Sequence, residues 1–477
     1  LLLPTSSPGI ITNMSALLLN KTVVNLNYTA SVQALLAAVE KAEISNLYTS
    51  RRFIQKLEQR GIDLNALLER VQVHYLEDMK DEIGAFTRLA LLIAAVLLPA
   101  RVLYAVFGQR ASIDQPAAIL FSSGSEGDPK GVVLSHRNIM ANIRQVSDVL
   151  DVRAEDTFMA TLPLFHAFGF TITGLMPLVE GIPVIFHPDP TDVLTIAKAI
   201  ARHQATVYCS TSTFLRLFNR NRHIHPLMLA SLRVVVSGAE RLNPEVRDAF
   251  KLKFNTDIYE GYGTTETTPV ASVNLPDRID QRNWKVQKGN KPGTVGMPLP
   301  GGSFRIVDPD TLVSLPVGED GLILFGGSQV MLGYLNDPEK TADVIVEVDG
   351  KRWYKTGDKG HLDQDGFLTI VDRYSRFAKI GGEMISLGAI ESAIAKVLPE
   401  NTEVLATALP DGKKGEKVIL LMAGEINQDE MKELVEQSGL NPLMRPAEFI
   451  QVDSIPKLGS GKNDFNRAKQ LAMEASA

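Results

Sequence analysis

Short apolar runs alternate with amphipathic stretches along the first half of the chain. Val32–Glu43 has apolar residues at helical spacing, whereas Thr22–Leu26 is a short apolar run. The alternation continues through further short apolar segments that are each followed by turn residues: Ala117–Phe121, Val184–Phe186, Thr206–Ser210, Leu232–Ser237 and Asp257–Tyr259. Strands that alternate with helices are typical of a wound parallel sheet, so we expect one large α/β domain.

The pattern changes after Pro292, where glycine- and proline-rich turns separate short strands and predict hairpins. From Phe377 onward, helices are predicted at Ile390–Val397 and Gln428–Glu436, between strands at Thr402–Ala408 and Lys417–Met422. This last part, roughly 100 residues long, has the size of a small α+β domain.

One apolar segment, Phe86–Gly108, interrupts the alternation. Its uncharged core, Leu89–Ala100, is flanked by Arg88 and Arg101. Spanning a bilayer takes about 20 apolar residues, which makes a transmembrane helix a poor fit. Two interpretations remain: a helix in the membrane interface, with Tyr104 and Phe107 as anchors, or a buried core helix.

The composition narrows the possible functions. The chain has 477 residues, of which 45% are hydrophobic and 22% charged, with a mean hydropathy of +0.02, so two or three globular domains are expected. A net charge of −6 provides no basic field for a nucleic-acid partner. The single cysteine, Cys209, lies in an apolar strand, which favours a buried thiol in a reducing, cytoplasmic compartment over a nucleophile.

The segment Phe121–Gly131 follows a strand and is rich in glycine and hydroxyl residues, with Lys130 near its end. Glycines let the backbone approach phosphate oxygens, which hydroxyls, amides and an ammonium can then bind. A Walker A loop is excluded because Pro129, and not glycine, precedes the lysine. We predict a phosphate loop, against the alternative of a surface turn; its candidate ligands are Ser122, Ser123, Gly124, Ser125, Gly127 and Lys130.

Two further turns carry groups suited to a nucleotide. Tyr262-Gly263-Thr264-Thr265-Glu266 combines a ring that can stack on a base, hydroxyls for phosphate and a carboxylate for magnesium. Asp358, in Tyr354–Gly360, is suited to accept both hydroxyls of a ribose. Taken alone, an acidic residue in a glycine turn is usually only a turn former.

Together these motifs resemble the adenylate-forming (AMP-binding) superfamily of acyl-CoA synthetases, luciferases and nonribosomal adenylation domains. The resemblance covers nearly the whole chain and rests on an ordered set: Ser122–Gly131, Pro163–His166, Tyr262–Glu266, Tyr354–Gly360, Asp372-Arg373 and Pro456–Lys462. It implies an α/β fold with wound sheets and a β-rich subdomain in a large N-terminal domain (1–371), a hinge (372–376) and a small mobile α+β domain (377–477).

The resemblance also implies the chemistry. A carboxylate attacks the α-phosphate of ATP, with Mg²⁺, to give acyl-AMP and pyrophosphate, and a thiol then displaces AMP. By this similarity Ser122–Lys130 would hold the β- and γ-phosphates, Thr265 the α-phosphate and Glu266 the magnesium ion. The other roles implied are adenine binding for Gly238, Ala239, Glu240 and Tyr262, ribose binding for Asp358 and Arg373, and lining of the acyl pocket for His166.

Lys462 is the residue expected to contribute most to catalysis. It lies in a glycine-flanked loop of the small domain and would neutralise charge on the α-phosphate and the attacking carboxylate. The small domain would then rotate about the hinge and present Lys379, Gly381 and Gly382 for thioester formation.

Departures from the superfamily pattern favour one subgroup. Ser375 occupies the hinge position, and Asn463-Asp464-Phe465 follows Lys462. With the apolar insertion 86–108, these features resemble the acyl-carrier-protein synthetase half of the bacterial bifunctional 2-acylglycerophosphoethanolamine acyltransferase/synthetases. That resemblance implies a fatty acid substrate, the phosphopantetheine thiol of acyl carrier protein as acceptor, lysophospholipid reacylation, and a place on the cytoplasmic face of the bacterial inner membrane. The start at Leu1, without methionine, adds the expectation of an upstream acyltransferase domain.

An acidic carrier protein needs a basic docking face, for which Arg216, Arg220, Arg222 and Arg233 are candidates, although a solvated charged surface is the commoner meaning of such residues. Two alternatives stay open. The first is a long-chain acyl-CoA synthetase that uses free coenzyme A. The second, in another class, is a non-catalytic nucleotide-binding or membrane-associated scaffold.

Overall fold

The computed structural model describes residues 1–122, 129–380, 383–399, 402–411, 415–457 and 463–476. The α-helices are α1 Ser7–Leu18, α2 Val32–Lys41, α3 Arg51–Glu58, α4 Asn65–Leu68, α5 Leu76–Glu82, α6 Ala85–Leu97, α7 Ala100–Phe107, α8 His136–Leu150, α9 Met176–Glu180, α10 Val193–His203, α11 Ser212–Arg220, α12 Pro244–Phe254, α13 Pro338–Val344, α14 Leu387–Ile394, α15 Gln428–Gln437 and α16 Phe465–Ser476.

The strands are β1 Val23–Val24, β2 Asn46–Thr49, β3 Gln72–Tyr75, β4 Pro116–Ser122, β5 Lys130–Ser135, β6 Phe158–Ala160, β7 Val184–Phe186, β8 Val207–Ser210, β9 Val234–Ser237, β10 Ile258–Gly263, β11 Val270–Val273, β12 Arg278–Asp280, β13 Lys285–Gln287, β14 Met297–Pro298, β15 Ser303–Val307, β16 Gly321–Gly326, β17 Gly333–Tyr334, β18 Ile345–Val348, β19 Lys351–Leu362, β20 Leu368–Arg373, β21 Phe377–Ile380, β22 Glu383–Ser386, β23 Glu403–Asp411, β24 Gly415–Ala423 and β25 Glu448–Gln451. A π-helical turn spans Phe168–Leu175, and short 3₁₀ helices include Thr265–Thr267 and Tyr374–Arg376.

The central sheet has the order β14-β11-β10-β9-β8-β6-β7. Strands β7, β6, β8, β9 and β10 are parallel, as the sequence pattern predicts, whereas β11 and β14 join the edge antiparallel. Every residue of β8 and β9 is buried. A parallel strand covered on both faces needs a continuous apolar run, which explains the short uninterrupted runs in the sequence.

Two hydrophobic cores cover the faces of this sheet. On one face α10, α11 and α12 pack through buried side chains that include Ile200, Phe218 and Phe250. On the other face α8 and the π-helical turn contribute Ile143 and Phe170. The sheet is therefore sandwiched, and the carboxyl ends of its parallel strands form the edge at which ligands are usually bound in such folds.

Two smaller sheets flank the central one. Strands β1, β4, β5 and β17 form the first, in that order, and pair Tyr334 of β17 with Val132 of β5. The second has the order β15-β16-β19-β18, and β20 pairs with β19. The antiparallel second sheet matches the hairpins predicted after Pro292.

The C-terminal part forms its own sheet and cores. Its strand order is β22-β21-β24-β23, with β25 parallel to β24, and α14 and α15 pack on one side while α16 packs on the other. The predicted helix at Ile390–Val397 begins earlier, at Leu387, because Ser386 caps it through a hydrogen bond from the Ala389 N–H. The α/β fold with a small α+β C-terminal unit agrees with the fold expected from the resemblance.

The apolar segment forms α6 and α7, which are separated by Pro99. Neither helix has a buried residue. The interpretation of this segment as a buried core helix is therefore wrong, since side chains such as Phe86 and Val96 are largely exposed to solvent. Within the described ranges, no helix combines the length and the apolar character needed to cross a bilayer.

Cys209 is buried in β8, as the sequence predicts, and burial raises the pKa of its thiol to about 12. It has no role as a nucleophile, because the thiolate is the reactive form.

Candidate active site

The motif Tyr262–Glu266 lies where β10 ends and the chain turns into the 3₁₀ helix Thr265–Thr267. Gly263 permits this turn: a Cβ there would lie 1.7 Å from the carbonyl oxygen of Pro269. Thr267 holds the turn from within, since its hydroxyl donates to the Pro269 carbonyl and accepts a hydrogen bond from the Thr264 N–H, 2.9 Å away. The turn is thus fixed by local packing.

A pocket opens in front of this turn, with an empty volume of about 480 Å³. Seven of the residues predicted from sequence contribute to its wall, alongside apolar side chains such as Phe168 and Val236: His166, Gly238, Ala239, Tyr262, Gly263, Thr264 and Thr265. The Thr264 hydroxyl is buried and has no hydrogen-bond partner in the part of the chain that the structure describes. A buried polar group needs a partner, so this hydroxyl fits a ligand oxygen.

The backbone at the pocket is shaped for close approach. Ala239 has φ of 73°, in the left-handed region that glycine favours, and follows Gly238 directly after β9. Strain of this kind persists where the surroundings enforce it and is common at binding sites. A Cβ on Gly238 would lie 3.1 Å from the Phe168 ring, so glycine keeps this wall open.

His166 lies two residues before the π-helical turn Phe168–Leu175, and such turns are frequent at functional sites. Its carbonyl accepts a hydrogen bond from the Phe170 N–H at 2.8 Å. His166 contributes to the wall of the same pocket as Tyr262–Thr265. His166 and the Tyr262–Glu266 motif thus contribute to one pocket.

Asp358 contacts the Tyr262 hydroxyl and is not one of the residues that line the pocket. The Tyr262 hydroxyl donates to its Oδ2, and Arg373 Nε lies 3.1 Å from its Oδ1. The pairing of β19 with β20 places Asp358 and Arg373 side by side, although 15 residues separate them in sequence. Tyr262, Asp358 and Arg373 form one hydrogen-bonded group that joins the central sheet to the β-rich sheet.

The three side chains of this group shift one another's pKa values. Burial raises the pKa of the Asp358 carboxyl, and Arg373 opposes that shift. The carboxylate of Asp358 in turn raises the pKa of Arg373, and burial together with Asp358 raises the pKa of Tyr262 well above its usual value. The Arg373 side chain is 59% exposed, so a ligand can reach the edge of this pair.

Glu266 is the candidate magnesium ligand, and Tyr334 holds it through a hydrogen bond of 2.9 Å to Oε1. Lys130 Nζ lies 5.8 Å from the centre of the Tyr334 ring. The end of the predicted phosphate loop therefore lies near the Glu266 carboxylate. Magnesium commonly takes one or two protein carboxylates and completes its shell with water and substrate phosphates, which this single acid fits. The described residues contain no group of three or more metal-ligating side chains.

No sequence motif identifies Tyr334 as a site residue. It follows Gly333 in a turn-rich region, and nothing in its spacing singles it out. Burial raises the pKa of its hydroxyl, and the Glu266 carboxylate adds to that shift, so Tyr334 remains a hydrogen-bond donor.

Glu240 has a different position from its neighbours Gly238 and Ala239. Its carboxylate accepts hydrogen bonds from the Thr213 N–H at 2.5 Å and from the Thr213 hydroxyl at 3.1 Å. Thr213 lies in the first turn of α11, where an acid satisfies free N–H groups and suits the helix dipole. Glu240 thereby fixes α11 against the pocket.

Helix α11 also contacts Glu403, which in turn binds Lys457. Arg216 on α11 lies 3.9 Å from Glu403 of the small domain, and Lys457 Nζ lies 2.7 Å from the same carboxylate. Lys457 pairs with Asn463 across the base of the loop. Lys457 and Asn463, the described residues on either side of 458–462, thus lie on the side of the molecule to which α11 belongs.

Several predicted site residues lie outside the described residues: Ser123, Gly124, Ser125, Gly127, Gly381, Gly382 and Lys462. Of the others, Ser122 ends β4, and Lys379 lies exposed on β21, where its N–H donates to Glu416.

The basic cluster expected from sequence is only partly present. Arg233 binds Asp156 at 2.5 Å and donates to the carbonyls of Leu150 and Asp151. Its inclusion in a docking face is wrong, because a guanidinium held by a buried acid is not free for a partner. Arg220 and Arg222 are exposed.

Glu260, on β10 two residues before Tyr262, yields a prediction about pH. Burial raises the pKa of its carboxyl to about 7, against the opposing hydrogen bond from the Leu242 N–H at 2.8 Å. Because the folded chain keeps this proton at a pH where the unfolded chain has lost it, the free energy of unfolding should fall as the pH rises from 4.5 to about 7. Glu260→Gln should reduce this fall.

Urea unfolding at pH 5 and pH 8 measures the effect, and Glu425→Gln, at an exposed position, is the control. The wild type and Glu425→Gln should lose more stability between these pH values than Glu260→Gln. An equal loss in all three proteins would show that Glu260 does not titrate in this range.

Comparison with known proteins identifies the family of the chain. A family model described as AMP-binding enzyme matches residues 1–335. A 4-coumarate–CoA ligase 2 of Solanum tuberosum is 31% identical over 358 residues, which are 73% of this chain and 64% of that protein. A 4-coumarate–CoA ligase 2 of Oryza sativa subsp. japonica is 33% identical over 361 residues, 74% of this chain and 61% of that protein. The match thus spans under two thirds of the length of these curated relatives.

Solved structures agree with the fold. ATP-bound MatB from Rhodopseudomonas palustris has a TM-score of 0.79 at 24% identity, covering 100% of this chain and 89% of the other. The o-succinylbenzoate CoA synthetase MenE from Bacillus subtilis, in complex with its acyl-adenylate intermediate, has a TM-score of 0.77 at 23% identity, covering 98% and 87%. With the family match over residues 1–335, these findings show that the chain belongs to the AMP-binding enzyme family.

Proposed function

We propose that the protein is an AMP-forming ligase that activates a fatty acid with ATP and transfers the acyl group to a phosphopantetheine thiol. The observation that carries this proposal is the pocket that His166 and Tyr262–Thr265 line together. Tyr262 connects that pocket to the Asp358–Arg373 pair. Groups suited to a carboxylate, an α-phosphate and a ribose therefore lie next to one another.

In the first step, a carboxylate oxygen of the acid attacks the α-phosphorus of ATP. The bond from that phosphorus to the bridging oxygen breaks, and pyrophosphate leaves with the electron pair. Thr264 and Thr265 supply hydroxyls at the α-phosphate, and Asp358 accepts hydrogen bonds from the ribose hydroxyls. Charge that develops on the phosphate is best stabilised by groups that are already in place, such as the two hydroxyls on this fixed turn.

Glu266, held by Tyr334, would bind the magnesium ion together with the phosphates of the nucleotide. The ion supplies charge neutralisation at the phosphates. Lys130, beside Tyr334, adds an ammonium to the same region.

In the second step, the sulfur of the thiol attacks the acyl carbonyl carbon, AMP leaves with the electrons of the carbon–oxygen bond, and the thiol loses its proton. We propose acyl carrier protein as the carrier of this thiol. Support comes from the motifs around Lys462 and from the exposed Arg220 and Arg222, which suit an acidic partner. Reacylation of lysophospholipid, with an acyltransferase domain in the same polypeptide, is the pathway that this subgroup resemblance suggests.

A specific observation favours a second acceptor. The curated relatives are named as CoA ligases, and free coenzyme A ends in the same phosphopantetheine thiol. Incubating labelled palmitate, ATP and Mg²⁺ with either holo acyl carrier protein or coenzyme A separates the two acceptors. We expect thioester on the carrier protein at a rate at least about 10-fold above that on coenzyme A.

The matched control is carrier protein that lacks phosphopantetheine, which should accept no acyl group. Arg220→Glu with Arg222→Glu should raise KM for the carrier protein and leave that for ATP unchanged. Faster transfer to coenzyme A would assign the protein to the acyl-CoA synthetases, and a KM unaffected by the two charge reversals would remove this surface from the docking site.

A further inference from the structure

Helices α6 and α7 expose an apolar surface that nothing in the described chain covers. Seven large side chains on them are between 52% and 84% exposed: Phe86, Leu89, Leu92, Val96, Leu97, Val106 and Phe107. A surface helix of a soluble domain normally buries its apolar stripe and shows a polar one. A contiguous apolar surface of this kind marks an interaction site.

The two helices are attached to the body at their base and are not packed into it. After α7, the Gln109 N–H donates to the Leu18 carbonyl at 2.8 Å, and the Tyr104 hydroxyl donates to the Gln109 carbonyl at 2.7 Å. Between α7 and the body lies an apolar groove with an empty volume of about 850 Å³, with Tyr104 on one side and Leu17 and Met140 on the other. The helix pair therefore projects from the domain.

The charge of this segment points to the chemistry of its partner. Between Glu82 and Asp114 the sequence contains no acidic residue, and its charged residues are Arg88, Arg101 and Arg110. An apolar helix surface with only cationic charges complements anionic lipid headgroups above an acyl layer. The same charges disfavour a second copy of this chain, because a two-fold contact through this surface would bring like charges together.

The helix lengths determine how such a surface can sit on a membrane. Helix α6 has 13 residues and α7 has 8, and Pro99 separates them. At about 1.5 Å per residue they reach roughly 20 and 12 Å, short of the approximately 30 Å hydrocarbon core. Each helix can lie in the interface and cannot span the bilayer.

We propose that the helix pair 85–107 docks the protein on the surface of an anionic lipid bilayer. The apolar side chains enter the boundary between headgroups and acyl chains, and the arginines bind the lipid phosphates. The proposal stands apart from the ligase activity, because it rests on exposure, charge and helix length alone.

Flotation of the full chain with vesicles of phosphatidylcholine, with and without phosphatidylglycerol, tests this docking. We expect co-flotation with the anionic vesicles, and at least about a 10-fold loss of binding when Phe86, Leu92, Val96 and Leu97 are all replaced by serine. The matched control replaces four equally exposed apolar residues elsewhere by serine: Leu227, Leu252, Val313 and Val317. The control should bind as the wild type does.

A fluorescent label on a single introduced cysteine tests membrane docking without multiple substitutions. Since Cys209 is buried, Leu92→Cys can be labelled selectively with an environment-sensitive dye, and Leu252→Cys serves as its control. Anionic vesicles should shift the emission of the label at position 92 to the blue and leave that at position 252 unchanged. Equal binding by both quadruple variants, no shift at position 92, or a lipid-free dimer that the first quadruple variant abolishes would each overturn the proposal.

Discussion

Replacing Lys462 by alanine should lower fatty-acid-dependent pyrophosphate release by about 100- to 1,000-fold, the cost of removing one preorganised group that stabilises transition-state charge. The contacts of Glu403 with Arg216 and Lys457 hold the base of its loop beside α11, which Glu240 fixes against the pocket. The resemblance implies that Lys462 neutralises the charge that forms on the α-phosphate. The measurement is a coupled pyrophosphate assay with saturating ATP and palmitate.

Lys469→Ala is the matched control for this experiment, because that lysine is exposed on α16 only seven residues further along. It should retain wild-type rates. If Lys462→Ala retained them too, the assignment of this lysine to the adenylation step would be refuted.

Asp358→Asn should lower kcat/KM for ATP by about 100-fold. Asparagine keeps only one acceptor oxygen, so one ribose hydroxyl would lose a hydrogen bond to a charged acceptor, worth about 1.5–3 kcal/mol, and the carboxylate opposite Arg373 would be gone. The substitution keeps the shape of the side chain, and the Tyr262 hydroxyl can still donate to the remaining carbonyl oxygen. We therefore expect the effect mainly in KM for ATP, with a smaller loss of stability.

Asp365→Asn, an exposed turn acid on the same hairpin, is the control and should leave the ATP kinetics unchanged. Thermal unfolding of both variants separates a loss of ATP binding from a loss of fold. A normal KM for ATP in Asp358→Asn would mean that Asp358 only supports the packing of Tyr262 and Arg373.

The sequence was most informative about the central sheet. Parallel strands that are covered on both faces require uninterrupted apolar runs, and the predicted run Thr206–Ser210 contains β8, every residue of which is buried. The antiparallel edge strands β11 and β14 were not predicted, because pairing direction depends on how the chain turns at Thr264–Pro269 and not on local hydrophobicity.

Apolar periodicity could not decide the environment of α6 and α7. A helix that is apolar on all sides has the same sequence pattern in a protein core and at a membrane surface, and only the packing around it separates the two. Similarly, the sequence predicts Arg233 as part of an exposed basic cluster. In the fold it binds Asp156, which is 77 residues away in sequence.

The residue types of the candidate site could be predicted from the sequence, but the hydrogen bonds between these residues could not. The motifs identified Tyr262, Glu266, Asp358 and Arg373, but the hydrogen bonds that join them cross between sheets. Tyr334, which holds Glu266, has no motif of its own. Such partners become visible only when the register of β5 with β17 is known.

The most direct test of the central claim is the formation of an acyl adenylate. Purified protein is incubated with labelled palmitate, Mg²⁺ and ATP in the absence of any thiol, and palmitoyl-AMP is measured together with pyrophosphate. We predict equal amounts of both products, dependent on palmitate and absent with Lys462→Ala. ATP hydrolysis without palmitoyl-AMP, or no release with any fatty acid by a folded protein, would contradict the proposed function.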